Sequence, residues 1–254
     1  MRKALKFRLT LAAVGCLGLA QLVRPGHAGI AGSKHDFAQF GWAQNQICLP
    51  CHTPHNAIVR DSNGRLVGAP LWNHTLSTAT YTLYVNPETG QQVTGQVDTN
   101  SRLCLSCHDG TVAVDSYGGG TGTQQITNPN SILGTDLSND HPIGEAAVWQ
   151  TPTPVDYVDP SLREAQGIMP LRRLADGRAV VGCTSCHEPH NRKNIPGMLW
   201  VAVSGPGTTV DGRSVSGSVL CLNCHKLGDT ISPSPLLPGS AFRGPTVSNP
   251  TLRR

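Results

Sequence analysis

Eight of the nine cysteines fall into four C-x-x-C pairs, and a histidine directly follows each pair. The four motifs read Cys48-Leu-Pro-Cys51-His52, Cys104-Leu-Ser-Cys107-His108, Cys183-Thr-Ser-Cys186-His187 and Cys221-Leu-Asn-Cys224-His225. Cysteines at i and i+3 lie on one face of a helical turn, and a histidine at i+4 lies on the same face. Each motif therefore predicts a helical turn that presents two thiols and an imidazole to one bound group.

C-x-x-C-H is the attachment sequence of c-type haem, in which the two thiols bind the macrocycle edge and the imidazole binds the iron. Zinc ribbons also use C-x-x-C pairs, and an exported chain can join its cysteines in disulfides, but neither requires a histidine after every pair. The repetition therefore predicts four covalently attached haem c groups. The predicted proximal iron ligands are His52, His108, His187 and His225.

Five other histidines predict the second axial ligands, which decide whether an iron carries electrons or binds a substrate. These are His35, His55, His74, His141 and His190. Only two methionines, Met169 and Met198, lie outside the N-terminal leader described below. Five histidines for four positions favour bis-histidine ligation at low potential, and they leave at least one histidine as a spare, a surface residue or a ligand for another molecule.

Two of these histidines stand three residues after a proximal histidine, His55 in CHTPH and His190 in CHEPH. A tripeptide with a central proline is too short to reach around a macrocycle, so each is expected to ligate a neighbouring haem. The predicted pairings are His55 with the haem of the second motif and His190 with that of the fourth. His35, His74 and His141 then compete for the haems of the first and third motifs.

The N-terminus reads as an export signal over residues 1–28, with basic residues ahead of an apolar run from Leu9 to Val23. A membrane anchor is the alternative, but this run is shorter than the roughly 20 residues that a bilayer core requires. Cys16 is expected to leave with the leader. The leader holds five of the 20 basic residues and no acidic ones, which leaves 15 basic against 16 acidic residues. Without a remaining Lys/Arg cluster, nothing predicts nucleic-acid binding.

Composition predicts a haem-cored chain, mostly irregular or coil, with short helical turns at the motifs and a few peripheral β-hairpins. The 28 glycines and 19 prolines interrupt regular structure, and with 5% aromatic residues the side chains alone make a thin core. Turn dipeptides flanked by alternating residues predict hairpins at 58–67, 81–93, 174–180 and 208–215. A short helix is expected after Pro160.

The chain is predicted to consist of two related halves, because CLPCHTPHN at 48–56 matches CTSCHEPHN at 183–191. Each of these motifs precedes a plainer one, so each half holds a pair of haems. We expect an N-terminal dihaem half at 29–120, a C-terminal dihaem half at 121–226 and an extended tail at 227–254.

The CHTPH and CHEPH segments resemble the doubled C-x-x-C-H multihaem cytochromes. KHDF, PLWNHT, SRLCLSCHDG and NDHPIG are similar to segments of the tetrahaem OmcE-type extracellular cytochromes, over roughly residues 33 to 226. The resemblance implies identical subunits that polymerise end to end with a continuous haem chain, one haem taking its axial histidine from the adjacent subunit. On this reading His35 is the first candidate for the donated ligand and His74 the second.

The function expected from these features is electron conduction by a filament of exported, tetrahaem subunits outside the cell, with redox proteins or extracellular acceptors as partners. No enzymatic activity and no membrane span are expected. A soluble periplasmic electron shuttle with the same ligation is the alternative. A multihaem reductase is a further alternative, but it requires an open iron position, which the surplus of histidines disfavours.

Overall fold

The computed structural model describes residues 29–41, 43–86, 90, 92–93, 95–203, 209–210, 213–214 and 219–226. The predicted leader at 1–28, the whole predicted tail at 227–254 and Trp42 lie outside these residues. No helix within the described part is long and apolar enough to cross a membrane.

Regular structure is sparse among the described residues. The α-helices are α1 (Thr99–His108), α2 (Pro160–Glu164) and α3 (Cys183–Cys186). The strands are β1 (Arg172–Arg173), β2 (Ala179–Val180), β3 (Thr209–Val210) and β4 (Arg213–Ser214). Single 3₁₀ turns occur at Phe37–Phe40, Pro129–Ser131, Gly144–Ala147, Pro196–Met198 and Cys221–Asn223. The prediction of a mostly irregular chain with short helices is thereby confirmed.

Two predicted hairpins form as antiparallel strand pairs. Strands β1 and β2 pair around the turn at 174–177, where Gly177 adopts a left-handed φ of +88° that its missing side chain permits. Strands β3 and β4 pair within the predicted segment 208–215. The other two predicted hairpins appear only as single antiparallel bridges, Arg60 with Leu66 and Val85 with Gln92. The predicted helix after Pro160 is α2, whose first turn the Asp159 side chain caps at Ser161.

Helix α1 carries the second motif and organises the apolar core. Asp98 caps its N-terminus by accepting hydrogen bonds from the backbone N–H groups of Asn100 and Ser101, at 3.1 and 3.0 Å. Leu105 on this helix is fully buried. The core cluster comprises Tyr81, Leu83, Val97, Leu105, Leu137 and Ala146. The helix that presents the second motif is therefore held by both its cap and its apolar face.

The third motif is fastened directly to α1. The Cys183 backbone N–H, at the start of α3, donates to Ser101 Oγ at 2.9 Å. A Cβ on the preceding Gly182 would lie 2.4 Å from Asp98 Oδ2, so only glycine permits this approach. The cap of α1 thus also sets the position of α3, and the second and third motifs are neighbours.

A buried carboxylate closes the C-terminal end of α1. Asp109 Oδ2 accepts hydrogen bonds from Ser77 Oγ at 2.5 Å and from the Tyr81 hydroxyl at 2.7 Å. Its Oδ1 accepts from the Thr111 N–H and hydroxyl, both at 2.7 Å. Burial by itself would raise the pKa of Asp109, but these hydrogen bonds outweigh it and hold the pKa below its ordinary value. The ionised carboxylate therefore stabilises the segment after His108.

Replacing this carboxylate is expected to destabilise the protein. Asp109→Ala leaves the Ser77 and Tyr81 hydroxyls without their charged acceptor, which costs about 2 kcal/mol. For a chain of this size that lowers the thermal midpoint of the haem-loaded protein by about 5 °C, measured by circular dichroism.

The same substitution carries a pH signature. Because the folded pKa of Asp109 is depressed, its stabilisation is complete above the unfolded pKa of about 4 and is lost as the pH falls further. The midpoint difference between wild type and Asp109→Ala should therefore shrink below that pH. Asp136→Ala, at an exposed aspartate, is the matched control. Equal losses from both substitutions would contradict the assignment.

Candidate haem sites

Each C-x-x-C-H motif forms one helical turn, as the spacing predicts. The second motif completes helix α1. In each of the other three, the histidine N–H donates to the carbonyl of the first cysteine. These bonds join His52 to Cys48 at 2.8 Å, His187 to Cys183 at 2.9 Å and His225 to Cys221 at 2.9 Å. The turn brings the two thiols and the imidazole to one side, which is the arrangement that haem attachment requires.

Backbone carbonyls orient three proximal imidazoles through Nδ1. The partners are Pro70 O for His52 at 2.8 Å, Ser131 O for His108 at 2.7 Å and Gly197 O for His187 at 2.7 Å. A carbonyl only accepts, so Nδ1 carries the proton and Nε2 keeps its lone pair. Metal-bound histidines are oriented in this way. The rings are therefore prepared to bind iron through Nε2.

Three proximal imidazoles have a second imidazole at a spacing that fits a shared iron. The centroid distances are 6.2 Å for His52 and His190, 6.0 Å for His108 and His35, and 6.3 Å for His225 and His141. Metal–nitrogen bonds of about 2 Å on both sides of one iron place two ring centroids about 6 Å apart. The residues present therefore fit bis-histidine haem at the first, second and fourth motifs.

These neighbours correct the pairings expected from the sequence. His190 lies beside His52 of the first motif, not beside the fourth motif. The second motif has His35 as its ring neighbour, so it is not paired with His55. The two proline-containing loops come from opposite ends of the chain, and their approach depends on long-range packing that spacing does not reveal.

His35 is held as a neutral imidazole within its own chain. Burial, with contributions from the nearby His108 and His187, lowers the pKa of His35 to about 4. A metal ligand has to be neutral, so this environment suits ligation. His35, the first candidate for a ligand donated to another subunit, therefore lies beside the second motif of its own chain.

His74 is buried in a setting unlike that of the other histidines. Its Nδ1 lies 2.8 Å from Thr75 O and its Nε2 lies 3.1 Å from Ala113 O. The Nε2 is also 3.4 Å from Cys107 Sγ. Both ring nitrogens face carbonyl oxygens, so neither is directed at an iron position. His74 packs beside the second motif without being placed as a ligand.

Neither His187 of the third motif nor His55 has a second imidazole at this spacing among the described residues. Among the described residues, no imidazole lies against His187 at the spacing of the three pairs above. His55 is exposed to solvent. The local structure around it is a turn in which the His55 N–H faces Thr53 Oγ1 at 3.4 Å. One proximal ligand and one exposed histidine are therefore left over.

Successive motifs lie close in space. A hydrogen bond with the Cys183 thiol and burial raise the pKa of Cys104 well above its ordinary value, which links the second and third motifs. Burial raises the pKa of Cys107 to about 12, with a contribution from Cys51 of the first motif. Burial likewise raises the pKa of Cys186 to about 11, with Cys224 of the fourth motif contributing. The second motif therefore lies close to both the first and the third, and the third lies close to the fourth.

Other features of the donor set also fit haem. The eight motif cysteines, all within the described part, are free of disulfides. No group of three His, Cys, Asp or Glu side chains in that part converges on a metal site. The Trp72 Nε1–H is buried and lacks a partner among the described residues, and its ring lies 6.2 Å from that of His52. A haem propionate is an acceptor that would satisfy this donor.

Glu188 is a residue that the sequence analysis did not single out. Its side chain is 1% exposed, and Oε1 lies 3.3 Å from His190 Nδ1. Burial by itself would raise the pKa of Glu188, but hydrogen bonds from the backbone N–H groups of Arg192 and His190 keep it below its ordinary value. The sequence does distinguish this residue, because CHEPH has the charged Glu188 where CHTPH has Thr53.

Removing one histidine at a time should distinguish ligands from packed residues. His141→Ala deprives the fourth motif of its ring neighbour, so one haem in four is expected to become high-spin in the optical and electron paramagnetic resonance spectra. His74→Ala removes a buried histidine whose nitrogens face carbonyls, and it should leave the haem spin states as they are in the wild type. An additional high-spin haem in the His74 variant, or no additional one in the His141 variant, would contradict these placements.

Comparison with known proteins agrees with this chemistry. Residues 177–229, which contain the third and fourth motifs, match the family described as the doubled CXXCH motif. No curated protein is significantly similar to the chain. The motifs indicate covalently bound c-type haem, and the few helices and small two-stranded sheets in a mostly irregular chain are consistent with it. The family match supports the assignment of the chain as a multihaem c-type cytochrome.

Proposed function

We propose that this chain binds four haem c groups, one at each motif, and conducts electrons among them. The observation that carries the proposal is the set of three imidazole pairs with centroids 6.0 to 6.3 Å apart. Imidazoles on both faces of an iron leave no position for a substrate. At these three irons the ligation therefore favours electron transfer over substrate binding.

The chain's residues supply attachment, orientation and order. When bound, haem c supplies a one-electron iron couple at low potential. The paired cysteines fix each group to its helical turn, and carbonyls such as Pro70 O hold the imidazoles in a single tautomer. Cysteines of successive motifs lie near each other, as Cys104 and Cys183 do, and this proximity keeps successive haems adjacent. Adjacent groups along the sequence order give one continuous route, and the bound groups form most of the interior.

The leftover ligands support a polymer. His187 is oriented by Gly197 O, and no imidazole of the described part pairs with it at the 6.0 to 6.3 Å spacing of the other three motifs, whereas His55 is exposed. We propose that His55 of one subunit ligates the iron at His187 of the next, in an extracellular filament. The resemblance to filament-forming tetrahaem cytochromes agrees with a ligand donated between subunits. In this proposal His55, instead of His35 or His74, is the donated ligand.

The haem content and ligation can be measured directly. A pyridine haemochrome assay on the purified protein should give four haems c per chain, with the α-band of reduced cytochrome. Carbon monoxide added to the reduced, assembled protein should leave the spectrum unchanged, because every iron has two histidines. Fewer than four haems, or rapid and complete carbon monoxide binding, would contradict the proposal, and the latter would favour a reductase.

Assembly can be tested through the exposed histidine. His55→Ala should disrupt filaments in negative-stain images and give one high-spin haem per subunit, because the third iron loses its donated ligand. His74→Ala is the matched control and should assemble normally. A wild-type protein that elutes as a monodisperse monomer would instead favour the soluble shuttle. Filaments that persist in the His55 variant would exclude His55 as the donated ligand.

A further inference from the structure

The two CHxPH loops have the same local geometry but differ in charge. The His55 N–H faces Thr53 Oγ1 at 3.4 Å, and in the other loop the His190 N–H donates to Glu188 Oε1 at 3.1 Å. The residue between proximal histidine and proline therefore closes the same turn in both loops. A hydroxyl does so in the first loop and a carboxylate in the second.

The carboxylate also reaches the imidazole. Glu188 Oε1 lies 3.3 Å from His190 Nδ1, and the carboxylate is almost wholly buried. Five other histidines of the predicted ligand set face neutral backbone carbonyls through Nδ1. These are His52, His74, His108, His141 and His187. His190 thus meets a full negative charge where these residues meet a carbonyl dipole.

A carboxylate next to the outer nitrogen makes an axial imidazole a stronger donor to iron. Stronger donation and nearby negative charge both favour ferric over ferrous iron, which lowers the reduction potential. The effect is larger in a buried position, where charges interact more strongly than in water. Arg192 opposes it, since Arg192 Nε lies 3.3 Å from the same oxygen. Its side chain is 63% exposed, so solvent screens much of this opposition.

We infer that Glu188 is a positioning residue that lowers the reduction potential of the haem held between His52 and His190. This inference rests on the proposed bis-histidine ligation. It assigns to the CHEPH loop a tuning role that the CHTPH loop lacks. The carboxylate acts through His190 and does not itself contact the iron.

The inference is tested by spectroelectrochemical redox titration of the haem-loaded protein. Glu188→Gln keeps the turn but removes the charge, so one of four midpoint potentials should rise. We expect about a tenfold change in that haem's reduction equilibrium, or 59 mV for a one-electron couple. Arg192→Gln removes the opposing charge and should lower the potential of the same haem. Shifts of opposite sign distinguish electrostatic tuning from a loss of packing.

Two further variants keep the test decisive if Glu188→Gln does not fold. Thr53→Glu puts a carboxylate in the matching position of the first loop and should lower the potential of the haem that His55 serves. Asp176→Asn removes an exposed carboxylate that pairs with Arg178 and should move no potential. If Arg192→Gln and Thr53→Glu both keep four low-spin haems and shift no potential, the inference about Glu188 is overturned while the proposed function stands. A wild-type chain without four low-spin haems would overturn the proposed function.

Discussion

An imidazole that binds a metal through one nitrogen has to be held by the other, and this requirement explains much of the structure. The helical turn of each motif directs the ring, and a carbonyl from a later segment holds Nδ1, as Pro70 O does for His52. These carbonyls come from outside the α-helices and strands: Ser131 and Gly197 lie in single 3₁₀ turns, and Pro70 lies in a loop. Sparse regular structure is thus compatible with a well-defined set of sites.

The local elements were predictable because their causes are local. The i, i+3, i+4 spacing within each motif specifies a turn regardless of its surroundings, and the Asp-Gly dipeptide before Arg178 specifies the hairpin of β1 and β2. The candidates for distal ligands were predictable as a group, since five histidines remain outside the motifs and the predicted leader. Their pairing was not, because the approach of His190 to His52 depends on how α3 docks on α1.

The docking of α3 on α1 depends on three residues, two of them polar. Asp98 caps α1, Ser101 accepts the N–H of Cys183, and Gly182 lies where any side chain would collide with the cap. None of these residues stands out in the sequence, where a capping aspartate and a glycine before a motif are ordinary. Together they bring the second and third motifs into contact. They also place the CHEPH loop beside the first motif.

The pairing of His52 with His190 has a consequence for maturation. His190 follows His52 by 138 residues, so in the proposed ligation the first iron site is completed only after the third motif has been made. By contrast, His35 precedes His108, and both are present early in synthesis. Such an iron-mediated bond closes a long loop, which reduces the entropy of the unfolded chain much as a disulfide does. The first motif is therefore completed late, and its completion joins two segments that are 138 residues apart in the sequence.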